Sequence, residues 1–162
     1  LDIGPSYNLY SIWSILTGSQ SVHGIEPDVQ SYKLGQELLE LRGLQDRITV
    51  QNMDVETFIP QYDGTPYDVV MLGDVFGYFT DGIGVLDFIQ NQVKAKYIFL
   101  ETNVVDTDDP YTPGRIPSRK AMQELVKDWN ILFYYDYKDF KGRGEGIGAV
   151  AGLKEFYVLE RP

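Results

Sequence analysis

Short apolar runs alternate with amphipathic stretches along almost the whole of this chain, and the alternation stops only at its end. Leu1-Asp2-Ile3-Gly4 reads as the end of a strand entering a glycine turn. Leu9 to Leu16 places apolar residues at helical spacing behind Asn8, a candidate N-cap. A short strand is expected over Ser21 to Ile25, and a helix over Ser31 to Leu41 with Gly43 as its stop. Arg47 to Gln51 is a further strand, and Thr57 to Tyr62 a weak helix or loop. Tyr67 to Leu72 is a near-continuous apolar run, the pattern of a strand covered on both faces. Gly84 to Gln92 reads as a helix, Lys96 to Leu100 as a second buried strand, and Ser118 to Trp129 as a helix capped by Ser118. The last two strands, Ile131 to Tyr137 and Glu155 to Glu160, are joined by the glycine-rich Gly142 to Gly152. That joint holds no helix, so they are expected to pair antiparallel. The fold class that follows is α/β: a three-layer α/β/α sandwich around a mostly parallel, seven-stranded, Rossmann-like sheet closed by an antiparallel C-terminal hairpin.

Length and composition narrow the possibilities. At 162 residues the chain is the size of one domain, without internal repeats or a dividing linker. It contains no cysteine, which removes disulfides, thiolate metal sites and cysteine nucleophiles together. A formal net charge of −10 argues against nucleic acid as a partner, because such a surface repels a phosphate backbone. No apolar stretch is long enough to span a membrane, and no signal-peptide pattern precedes Leu1, giving the expectation of a cytoplasmic protein. Leu1 opening inside a strand leads us to expect a natural N-terminal segment before residues 1–162. Oligomeric state is not readable.

In an open α/β sheet the ligand lies beyond the carboxyl ends of the strands, near the reversal of strand order. That rule selects four places. After the first strand, Gly4-Pro5-Ser6-Tyr7-Asn8 leads into a helix, either a ligand-cradling turn or a plain strand–helix connection. After the second comes Glu26-Pro27. Glu26 lies about 20 residues past the glycine turn, where an acid binds ribose hydroxyls, or else it is an exposed turn carboxylate. After the third come Asp54 and Val55, suited to an exocyclic amine and a ring nitrogen, with Asp54 equally able to cap the next helix. After the fourth, Gly73 permits close backbone approach and Asp74 emerges beside Val75-Phe76-Gly77-Tyr78-Phe79, either as a general base or as a hydrogen-bond acceptor for a cationic group.

Together these segments resemble the class I S-adenosylmethionine-dependent methyltransferases. LDIG with PSYN resembles the family's first motif, D-x-G-x-G-x-G, without its second and third glycines. HGIEPD resembles the second motif, NMDVE the third, YDVVMLGDVFGYF the fourth, and KYIFLETN the fifth strand. The resemblance implies S-adenosyl-L-methionine as cofactor. Gly4, Pro5 and Ser6 would then border its methionine part, with Asp2 organising the loop, Glu26 and Pro27 at the ribose, Asp54 and Val55 at the adenine, and Gly73 and Asp74 at the sulfonium. Asp74, Tyr78, Tyr111 and Arg115 become the expected catalytic residues, acting on a small-molecule or protein acceptor. FLETNVVDTDDPYTPGRIPSRKAMQELVKDW is also similar to a segment of tRNA wobble-uridine carboxymethyltransferases, but the acidic charge opposes carrying over that substrate.

The remaining candidates read as structural. His23, the one histidine, lies inside a strand, and no metal site is expected. Asp106, Asp108 and Asp109 read as solvated acids, and 103–117 as a lid-length loop. Tyr134, Tyr135 and Tyr137 read as sheet residues. Two rival readings stand beside the methyltransferase: a non-catalytic domain that keeps the fold, and a nicotinamide-dependent dehydrogenase. The second is disfavoured by the missing loop glycines.

Overall fold

The computed structural model describes residues 1–104, 117–137 and 153–162. Its strands are β1 (Asp2–Ile3), β2 (Val22–Ile25), β3 (Ile48–Gln51), β4 (Val69–Gly73), β5 (Tyr97–Val104), β6 (Asn130–Tyr137) and β7 (Leu153–Glu160). The helices are α1 (Leu9–Leu16), α2 (Val29–Arg42), α3 (Val55–Phe58), α4 (Gly82–Phe88, prolonged by a wide turn over Ile89–Val93) and α5 (Arg119–Val126). The seven strands form one sheet in the order β3-β2-β1-β4-β5-β7-β6. β1 to β5 are mutually parallel, and β7 runs antiparallel between β5 and β6. The order reverses between β1 and β4, which makes the strand ends at Ile3 and Gly73 the candidate ligand end of the sheet.

Local chemistry accounts for the helix boundaries. The Asp28 side chain accepts from Ser31 N at 2.7 Å to open α2, and Gly43 closes it at φ 63°, where a side chain would be strained. Ser118 accepts from Ala121 N at 3.1 Å to open α5. Asn8 departs from expectation. It occupies the position before α1 but its side chain caps nothing, because its backbone is left-handed at φ 61°.

Two apolar layers hold the sheet. On one face α3, α4 and α5 pack over Ile3, Val70, Leu72, Ile98, Leu100 and Leu159, and on the other α1 and α2 pack over Val22, Ile48 and Val50. The expectation that Tyr67 to Leu72 is covered on both faces is corrected. Val70 and Leu72 are fully buried, whereas Val69, Met71 and Gly73 are only partly so. The same alternation continues along β5 and into β7, where Phe99 and Phe156 remain half-buried. α1 borders this face without covering it, leaving an open groove of about 1090 Å³ lined by Tyr10, Trp13, Met71, Phe99 and Phe156. No helix among the described residues is long and apolar enough to cross a membrane.

Candidate functional site

The turn from β1 into α1 adopts left-handed backbone at alternate residues: Gly4 at φ 70°, Ser6 at 51° and Asn8 at 61°. Glycine adopts that region freely, whereas other L-residues incur roughly 1–2 kcal/mol each, Asn being the more tolerant. The loop therefore keeps a glycine-type path on two residues that resist it, and surrounding contacts must hold it there. Ser6 N donates to Glu26 Oε2 at 2.8 Å, and Asn8 N to the Pro5 carbonyl at 2.8 Å. The Asn8 side chain is buried against Gly35 of α2, where a methyl group would lie 2.5 Å from Asn8 Nδ2. Beneath the loop, buried Asp2 accepts from Ser11 Oγ at 2.6 Å. Burial pushes its carboxyl up to about 6, against the lowering effect of that hydrogen bond.

Glu26 does not face bulk water, being only 6% exposed. Its Oε2 takes the Ser6 N–H and its Oε1 takes the Asp28 N–H at 2.9 Å, so one carboxylate ties the β1 loop to the β2 loop. Asn52 completes the tie by donating Nδ2 to the Glu26 carbonyl at 2.7 Å and to that of exposed Pro27 at 3.2 Å. Asp54 caps α3, accepting from Thr57 N at 2.6 Å, and the hydrogen bond holds its carboxyl below the usual range. Val55 beside it is buried.

At the ends of β4, β5 and β7 a polar chain crosses the sheet. Asp74, left-handed at φ 58°, accepts from Asn103 Nδ2 at 2.5 Å. Lys154 Nζ lies 3.4 Å from Asp74 Oδ2 and 2.8 Å from Glu101 Oε1. Tyr10 OH donates to Glu101 Oε2 at 2.8 Å. Burial raises the Asp74 pKa, with Lys154 opposing the shift. Burial alone would lower that of Lys154, but its two carboxylate neighbours leave it raised.

The two glycines expected to admit a ligand are each approached by a side chain of the chain itself. A methyl built on Gly4 would lie 2.5 Å from Val75 Cγ1, and one on Gly73 would lie 2.6 Å from Tyr10 Cε2. Pro5 packs on Gly24, whose own methyl would come 3.1 Å from Pro5 Cγ. Thus Asp2, Gly4, Pro5, Ser6, Glu26 and Pro27 converge on one loop junction, and Gly73 and Asp74 form the adjoining strand end. Tyr78 stands apart on the turn Phe76–Tyr78, 86% exposed. Tyr111, Arg115 and the acids Asp106, Asp108 and Asp109 lie outside the described residues, as does most of the candidate lid. His23 is half-buried in β2, its Nδ1 paired with Tyr67 OH at 2.5 Å, and burial lowers its pKa. No group of three His, Asp or Glu side chains among the described residues is arranged to hold a metal ion.

Sequence reasoning did not single out Tyr10, Ser11, Asn52, Glu101, Asn103 or Lys154. A signal existed for Lys154: a cation opening a strand that returns antiparallel beside the fifth must sit at the ligand end. Nothing local marked Tyr10.

No protein-family model and no curated protein matches the chain. Solved structures do. The chain is similar over 99% of its length to the [4+2]-cyclase SpnF, at 12% identity and a TM-score of 0.76, spanning 73% of that chain. It is similar over 99% of its length to a putative sarcosine dimethylglycine methyltransferase from Galdieria sulphuraria, at 13% identity and a TM-score of 0.75, spanning 77% of it. A third likeness is to TrmK of M. capricolum, solved with S-adenosyl-homocysteine, at 12% identity and a TM-score of 0.63 over 99% of this chain and 60% of that one. What these likenesses show is the fold, the Rossmann-like sheet with an antiparallel C-terminal hairpin that methyltransferases use.

Proposed function

We propose that the chain binds S-adenosyl-L-methionine across the carboxyl ends of β1, β2 and β4 and directs its methyl group to a small-molecule or protein acceptor. The observation carrying this reading is the left-handed loop at Gly4, Ser6 and Asn8 latched to buried Glu26. A loop that holds two non-glycine residues in a disfavoured conformation indicates a retained backbone surface. Each Glu26 oxygen accepts one backbone N–H and keeps a further lone pair for a ribose hydroxyl. Gly4, Pro5 and Ser6 would border the methionine part, Pro27 the ribose, Asp54 and Val55 the adenine, and Gly73 and Asp74 the sulfonium end. Structures of this fold include one solved with S-adenosyl-homocysteine, which supports the cofactor assignment.

The bound cofactor supplies a methyl group on a positively charged sulfur. The protein's share is to hold a nucleophile in line with it and exclude water, and positioning supplies much of the acceleration. Asp74, its pKa raised by burial, takes a proton from the acceptor or orients it. Tyr78 contributes from the turn after β4, and Tyr111 and Arg115 are assigned catalytic parts on the sequence reading alone. The acidic surface suits a small molecule or a protein side chain better than nucleic acid.

Calorimetry with S-adenosyl-homocysteine tests the reading. Wild type binds, and Glu26→Ala loses about 100-fold or more in affinity, since two hydrogen bonds to a charged group contribute about 1.5–3 kcal/mol each. Absence of binding at millimolar ligand overturns the assignment. It would favour the second reading, a non-catalytic domain of the same fold, which the covering of Gly4 by Val75 and of Gly73 by Tyr10 supports. That a [4+2]-cyclase shares the fold shows that architecture by itself does not specify methyl transfer.

A further inference from the structure

We propose that Tyr10 is a gate on the methyl-donor end of this cleft: its ring occupies the approach to Gly73 and swings away before a ligand reaches the strand end. The inference rests on the cofactor reading above. Gly73 is the last residue of β4, where a missing side chain would let a ligand touch the backbone. That space is filled, because a methyl group on Gly73 would meet Tyr10 Cε2 at 2.6 Å and Cδ2 at 2.8 Å. The ring is also latched, its hydroxyl donating to Glu101 Oε2 at 2.8 Å. Glu101 is in turn held by Lys154, which also pairs with Asp74. The latch therefore connects the gate to the residue proposed to act on the acceptor.

Room to open is present. Tyr10 stands on the first turn of α1, is 47% exposed, and lines the groove of about 1090 Å³ beside β4 and β5. The groove offers the space into which the ring would swing, and Tyr10 belongs to neither apolar layer. A closed gate weakens observed affinity by the fraction of molecules that are open, so variants that favour the open form bind more tightly.

The test compares wild type, Tyr10→Phe and Tyr10→Ala by calorimetry with S-adenosyl-homocysteine and by thermal unfolding without ligand. Tyr10→Phe keeps the ring and loses the latch, and binds about fivefold more tightly, the equivalent of one ordinary hydrogen bond. Tyr10→Ala loses both and binds at least about tenfold more tightly than wild type, while its melting temperature without ligand stays level or falls. A purely structural tyrosine would lower affinity and melting temperature together. If wild type binds and Tyr10→Ala binds equally or less well, the gate is refuted and the cofactor reading stands. If none of the three binds at millimolar ligand, the cofactor reading falls and the gate with it. Should Tyr10→Ala not fold, Tyr10→Phe decides, and affinity no better than wild type overturns the proposal.

Discussion

Gly35 and Asn8 should behave as a coupled pair, and a double-mutant cycle would show it. Gly35 sits in the middle of α2, where alanine is ordinarily more favourable by about 1 kcal/mol. At this position the added methyl would lie 2.5 Å from Asn8 Nδ2 and 3.2 Å from the Ser6 carbonyl. Asn8 is only 1% exposed and cannot retreat into solvent, so the crowding opposes the gain with the roughly 1–3 kcal/mol typical of an overpacked core. Gly35→Ala alone should therefore destabilise by about 1 kcal/mol, the difference between the two effects. Asn8→Gly removes the obstructing amide, relieves the left-handed strain at φ 61°, and deletes a buried Oδ1 that finds no hydrogen-bond partner among the described residues. In that background Gly35→Ala should stabilise by up to about 1 kcal/mol, giving a coupling near 2 kcal/mol. Urea unfolding of the four proteins measures it. Additivity within about 0.5 kcal/mol would refute the claim that a glycine in α2 makes room for the asparagine in the loop.

Two further outcomes are expected. Asp2 keeps its proton up to about pH 6 in the folded chain but releases it near the ordinary carboxylate range when unfolded. Its contribution is thus complete in acid and is lost as pH rises through about 6. The stability of Asp2→Asn relative to wild type should accordingly rise by about 2 kcal/mol between pH 4 and 7, and a constant difference across denaturant titrations would contradict it. Lys154→Met leaves Asp74 and Glu101 facing each other without their shared cation, and should lose about 2 kcal/mol at pH 7. Because Asp74 already holds its proton more tightly than usual, the loss should shrink at pH 4, and equal losses at both values would exclude ion pairing as the cause.

Strand centres were legible because apolar runs report burial directly, and Val70, Leu72, Ile98 and Leu100 occupy the core their pattern implies. Strand ends were not. β5 runs on through Glu101, Thr102, Asn103 and Val104, whose polar members look like loop but are paired against Phe156, Glu155 and Lys154 of β7. Asparagine suits both a helix cap and a left-handed turn, and at position 8 the loop path prevailed over the cap. Asp54 had two readings, and its capping bond to Thr57 is visible in the chain. Spacing alone picked out Glu26, but its two backbone partners required the loops to be folded. The Tyr10, Glu101 and Lys154 chain was least accessible, since it joins α1, β5 and β7 across 91 residues between its first two members.

The reversed last strand has an evolutionary consequence. Because Leu153 pairs with Val104 and Lys154 with Tyr137, β6 ends and β7 begins at the same rim as Gly73 and Asp74. A change at Lys154 is therefore felt by the ladder and by the candidate site at once, so selection cannot alter one there without testing the other.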